Sequence, residues 1–127
     1  MKAHLDGIWS SVIPDGQSQP EDQEDFWADI VAEIGPEHGK GAEMFTFQVC
    51  SPKWLEHSLK SNDFIIDKNL IIIEKFDWQL IETAIKKLIA RFECDTWEEL
   101  AKEIDRYGEW EFHNYKEVSN YDNLTQH

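Results

Sequence analysis

Basic residues are scarce in this chain: 12 Lys and Arg stand against 26 Asp and Glu, a formal charge of -14 over 127 residues. So few cations argue against binding nucleic acid or anionic lipid through a basic face, because phosphates would be repelled. Cysteine is as sparse. Cys50 and Cys94 are too few for a disulfide scaffold and lack the CxxC spacing of a metal or redox site, which fits a reducing cytosol. Long apolar runs are missing as well. The start, "MKAHLDGIW", has no signal-peptide core, and the longest apolar run, "LIIIEKF", is broken by charge far short of a membrane span. The expectation is a cytoplasmic protein that works where it is made.

Recognisable catalytic motifs are also lacking. His4, His38, His57, His113 and His127 form no H-x-x-x-H pair and sit at no ligand spacing with cysteine. Ser10, Ser11, Ser51, Ser58 and Ser61 lack a G-x-S-x-G elbow, and Cys50 reads as a small core residue at a strand end. The glycines and lysine of "GPEHGKGAE" have the wrong spacing for a P-loop, and a hairpin turn accounts for them. No catalytic residue, metal ligand or cofactor is assigned. Carboxylates are numerous enough that an acid–base pair of Glu with Glu, or of Glu with His, for example His57 or His113 meeting a carboxylate, stands as an alternative, although a solvated acidic face is the favoured reading of so many acids. A structural oligomer using an open sheet face is a second alternative.

What is present is enough to fold. A hydrophobic fraction of 41%, with 6 Trp among the aromatics, suits one core in a single domain, placed at residues 1–116 with a polar, fraying tail at 117–127. Lys2 to Trp9 alternates loosely as a first strand. "SSVIPDGQSQPEDQED" then reads as an exposed loop that turns acidic at its end. In "FWADIVAEI" the apolar positions satisfy both strand and helix periods. The glycines and Pro36 that follow favour a strand leading through a turn into Met44 to Cys50, where Phe45, Phe47 and Val49 alternate. Ser51 suits an N-cap and Pro52 a first helical turn, so a helix starts there with Trp54, Leu55, Ser58 and Leu59 on one side.

Beyond a turn at Asp67 to Asn69, Leu70 to Phe76 resembles a buried strand. Asp77 caps a helix whose stripe is Trp78, Ile81, Ile85, Leu88, Ile89 and Phe92. Thr96 with Glu99 forms a capping box for another, which buries Trp97, Leu100, Ala101 and Ile104 and stops at Gly108. "EWEFHNY" alternates Trp110, Phe112 and Asn114 as a short strand. The resulting fold class is α+β: a mainly antiparallel sheet with two to three helices packed on one face.

Taken together, Gly35-Pro36, "FQVCSPKWL" from Phe47 to Leu55, the Leu70 to Ile73 strand, "WEELA" and "RYGEWEFHNY" resemble the immunity protein 8 family of bacterial polymorphic toxin systems. The resemblance runs from the first strand to about Tyr115. Its most specific positions are Cys50, Ser51, Pro52, Lys53, Trp54 and Leu55, with Trp110, Glu111, Phe112 and Tyr115. Most of these read as structural: Trp54, Leu55, Trp110 and Phe112 as core, Pro52 as a junction. The "PEDQEDFW" stretch is longer and more acidic than the pattern needs, and Ser51 stands where members often carry Thr.

The resemblance implies a small cytoplasmic protein, encoded beside a toxin gene, that binds and blocks the cognate toxin domain and catalyses nothing. An acidic protein is suited to a basic toxin cleft, such as that of a nuclease, and the toxin domain is the expected partner. The candidate contacts are Glu21, Asp22, Glu24 and Asp25, then Glu37 and His38 at the hairpin turn, since loops are easiest to present. Charge alone reads Glu21 to Asp25 slightly better as a solvated loop or the acidic first turn of a helix.

Overall fold

A computed structural model describes residues 1–13, 19–67 and 69–113. Their elements run β1 (Ala3–Trp9), β2 (Trp27–Pro36), β3 (Glu43–Cys50), α1 (Pro52–Ser61), β4 (Leu70–Ile72), α2 (Trp78–Ile89), α3 (Trp97–Asp105) and β5 (Glu109–Trp110). The α+β expectation holds. The five strands form one mixed sheet in the order β1-β2-β3-β4, with β5 also paired to β3. Antiparallel pairing dominates, and β3 with β4 is the parallel pair, reached through α1.

The ambiguous segment after Phe26 is a strand, and the reason is the hairpin behind it. Its register on β3 runs without a break from Trp27↔Cys50 to Ile34↔Glu43. Gly41 takes φ 85°, a left-handed backbone that glycine reaches without steric cost, so the chain can turn back there. Ala28, Ile30, Ala32 and Ile34 from β2 then face the same side as Phe45, Phe47 and Val49 from β3, and all seven are fully buried. A bulge between Leu5 and Gly7 shifts the β1 register, which lets both Leu5 and Ile8 pack on that core.

Two helices cover this face. Ile81, Ile85 and Ile89 of α2 and Leu100, Ala101 and Ile104 of α3 are buried in it, at the spacing the sequence predicts. Asp77 accepts from the Gln79 and Leu80 N–H groups, and Thr96 from that of Glu99, so both N-termini are capped by the residues expected.

Four expectations change. α1 buries none of its residues, so Trp54 and Leu55 are half-buried rather than core; Trp54 instead stacks on Trp27, which alternation sets on the face opposite Ala28. β4 stops at Ile72, with Ile72 itself 53% exposed, because it is an edge strand and the chain bends at Glu74 and Lys75. Ile13 is core although it lies in the predicted exposed loop. Finally, β5 ends at Trp110, with Phe112 packed beside it against the core, and α3 ends at Asp105 before Gly108. Asn114, Tyr115 and the tail lie outside the described residues.

Gly108 has a different reason to be glycine. A Cβ there would stand 2.4 Å from the Phe47 ring, which is itself fully buried and has no room to retreat. Gly108→Ala should therefore lower stability by about 1–3 kcal/mol through overpacking. Urea denaturation checks this: the expected result is a lower midpoint at unchanged slope, whereas an unmoved midpoint would mean that the ring relocates freely.

Candidate protein-docking surface

The acidic run lies in a chain segment with fixed partners. Phe26 at its end is buried and meets Phe76 edge to face at 5.2 Å. The Phe76 N–H donates to the Gln23 carbonyl at 2.8 Å, and the Glu24 N–H donates to Asp22 Oδ1 at 3.0 Å, an Asx turn. Ser51 completes the anchorage. Its N–H donates to the Phe26 carbonyl at 3.1 Å, and its fully buried Oγ accepts from the Phe26 N–H at 3.1 Å and from the Trp54 N–H at 3.3 Å. One hydroxyl thus caps α1 and holds the end of the acidic segment.

Between these parts lies a shallow, open groove of about 910 Å³. Glu21, Asp22, Glu24 and Asp25 line it together with Trp27, Trp54 and Lys75. Trp27 and Trp54 stack at 6.4 Å and 30°. His57 of α1 brings Nδ1 to 2.6 Å from Asp25 Oδ2. The four predicted acids therefore share one site with a motif residue, Trp54. Glu37 and His38 do not join it. They pair with each other at 3.2 Å, exposed, and line a separate cleft of about 580 Å³ with Met1, Lys2 and Glu93. That cleft is at the far end of β2, a ten-residue strand and so roughly 30 Å from the groove.

The other motif positions are spread through the scaffold. Lys53 and Pro52 are exposed in the first turn of α1, and Leu55 is half-buried there. Trp110 is buried and stacks near-parallel on Phe45, and Phe112 meets Trp110 edge to face. Glu111 Oε2 accepts from the Met44 N–H at 2.6 Å, fastening the chain after β5 to the start of β3. Cys50 is fully buried, and burial, followed by the negative charge of Asp67, pushes its thiol from the ordinary value of 9.0 up to about 11. Such a thiol is a poor nucleophile near neutral pH.

Sequence reasoning missed Trp27 and Lys75; it raised His57 and His113 as histidines that could meet a carboxylate without naming the partner, which for His57 is Asp25. For Trp27 a signal exists: it is a large aromatic out of phase with the Ala28, Ile30, Ala32 and Ile34 face. The histidine and its carboxylate lie far apart in the chain, so nothing local links them. A second such pair joins His113 Nδ1 to Asp105 Oδ2 at 2.5 Å, where Asp105 also accepts the Trp110 N–H at 2.9 Å and ties α3 to β5. Among the described residues no group of three or more His, Cys, Asp or Glu is placed to hold a metal ion, and no helix is long and apolar enough to cross a membrane.

The small acidic α+β domain thus carries an open groove lined by carboxylates and a pair of stacked indoles. The family model described as immunity protein 8 matches residues 9–115, and the chain belongs to that family. No curated protein and no solved structure matches it. Membership means an immunity protein against toxins, one that binds a cognate toxin protein.

Two outcomes are expected. Ser51→Ala leaves the buried Phe26 N–H without its partner and uncaps α1, costing about 2–3 kcal/mol in a denaturant titration, and Ser51→Thr, which keeps a hydroxyl, recovers most of it. A loss that Thr does not restore would place the effect in packing. For Cys50 the sign follows from a folded value above the unfolded one: its contribution is full below pH 9 and disappears as pH rises through about 11. The midpoint should therefore fall more steeply over that window in the wild type than in Cys50→Ala; parallel curves would contradict it.

Proposed function

We propose that this chain neutralises a toxin whose working cleft is basic, a nuclease being the class that fits best, by laying an acidic surface over that cleft inside the cytoplasm. The observation that carries the reading is the groove where Glu21, Asp22, Glu24 and Asp25 surround the Trp27–Trp54 stack. A phosphate-cleaving enzyme needs cations where its substrate lies, and carboxylates held in place can occupy those cations. Charge at a rim mainly accelerates encounter, while buried aromatic anchors retain the complex, and this groove offers both. Contact-dependent inhibition systems are a setting in which such a pair would work. The anchored acidic segment also reduces the ordering cost of docking, because the Phe26 and Ser51 contacts exist before the partner arrives.

A second reading draws on the His57–Asp25 pair, whose imidazole and carboxylate form a possible acid–base couple at the edge of the same groove. Turnover by the purified chain, abolished in His57→Ala, would favour it. The binding reading instead expects inhibition of the toxin by the wild-type chain at stoichiometric amounts, with no product of its own.

The test of the charged rim uses Glu21→Lys with Glu24→Lys, since both side chains are exposed while Asp22 and Asp25 serve the local turn and the His57 contact. Stopped-flow association with a catalytically silenced toxin domain from the adjoining gene should slow at least about 10-fold at low salt, and its salt dependence should flatten. An unchanged rate and slope would remove this rim from the mechanism.

A further inference from the structure

The sheet has a second face, and its composition is unusual. α2 and α3 bury the side that carries Ile30 and Phe47. On the opposite side the register lays out cross-strand rows: Trp27 beside Cys50 and Ile72, Asp29 beside Gln48 and Leu70, Trp9 beside Val31 and Thr46, and Glu33 beside Met44. Trp9 is 40% exposed, Trp27 38% and Met44 40%, so a large apolar group reaches solvent in three of these rows, while Val31 and Cys50 beside them are buried. Glu109, opposite Thr46 on β5, adds another carboxylate. The five strands contain Asp6, Asp29, Glu33, Glu43 and Glu109 and no lysine or arginine at all; every cation of the chain lies outside them.

That pattern selects an occupant. A face with one indole at the end of edge strand β1 and another in its last row, carboxylates between them and no lysine or arginine in its strands complements a protein surface bearing arginine. A guanidinium can stack on an indole and pair with a carboxylate in the same contact. A second copy of this chain would set Asp29, Glu33 and Glu109 against their equivalents in an assembly of twice the -14 charge, so self-association is opposed. Exposed apolar area on one face is also what a docking site requires and what an isolated soluble domain tends to avoid.

We propose that the open sheet face is the main docking surface for the arginine-bearing side of the toxin, with Trp9 and Trp27 as its anchors and Glu33 as its ionic partner, Asp29 being held by the Ser10 and Ser11 hydroxyls. The proposal rests on the immunity reading above and extends the groove across the sheet, since Trp27 belongs to both. The contact would cover the row from β1 to β4, and the acidic groove would form one rim of it.

The experiment is a calorimetric titration of the silenced toxin domain from the adjoining gene into the full chain, its Trp9→Ala, Met44→Glu and Glu33→Lys variants, with indole N–H resonances followed by NMR. Each variant should weaken binding at least about 10-fold, as expected of residues at an interface centre, and the Trp9 and Trp27 indole signals should shift on complex formation. Glu33 is exposed and unneeded by the core, so Glu33→Lys stays informative even if Trp9→Ala folds poorly. Should the wild type bind while Glu33→Lys and Met44→Glu bind within about 2-fold of it and the Trp9 indole stays still, the face is not the docking surface although the immunity reading survives. Absence of wild-type binding overturns both. A wild-type dimer in sedimentation that Met44→Glu dissolves overturns the proposal in favour of a second copy.

Discussion

Where the chain leaves the central strand, a single buried hydroxyl satisfies two backbone N–H groups, the buried one of Phe26 and the part-buried one of Trp54. Ser51 does so, and its own backbone N–H returns a bond to the Phe26 carbonyl. An orphaned buried donor costs about 1–3 kcal/mol, so the bonds at this point set where the helix starts and where the acidic segment ends. Pro52 adds to the constraint by blocking any further pairing along the strand and by fitting the first helical turn. The Cys-Ser-Pro-Lys-Trp-Leu motif thereby becomes a joint between three things: the core strand β3, the helix that carries Trp54 and His57, and the loop that carries the carboxylates. A binding site assembled around such a joint is held by the fold rather than by its own contacts.

Charge is partitioned along the same lines. The core face of the sheet is wholly apolar in β2, and the two helices behind it carry lysines, of which Lys86 pairs with Glu82 and Lys102 with Glu98. Those exposed pairs add little stability. Their consequence is spatial: no lysine or arginine lies in any of the five strands, and the cations stand on the helices and the connections, Lys75 in the acidic groove among them. A net charge that composition explains equally by solubility becomes directional once the fold is known. The field that would steer a cationic partner depends on that distribution more than on the total charge.

Much of this architecture was legible because its determinants are local. Asp77 and Thr96 cap their helices through bonds to residues two and three positions on, and the isoleucine stripe of α2 needs only the helical period to be read. β2 was ambiguous by period and was settled by the glycines and proline behind it. Failures came where distant partners decide. Gly108 looked like a helix stop, and its true constraint is the ring of Phe47 in another element. Trp54 and Leu55 have helical spacing but no core to face, since α1 meets the sheet at Trp27 on its outer side. β4 is short because an edge strand needs no longer pairing, and nothing in a run of isoleucines announces an edge. The acids of the candidate site were visible as a run; that a stacked pair of indoles stands among them depends on the pairing of Trp27 with Cys50, which only the register supplies.

At the centre of this account is a protein that acts by covering another protein. Growth of cells expressing the toxin domain of the adjoining gene, with and without this chain at matched levels, tests that most directly. The account predicts survival only when the chain is present, with the two proteins recovered as a complex of fixed stoichiometry. Equal killing in both cultures, or protection without any complex, would contradict it.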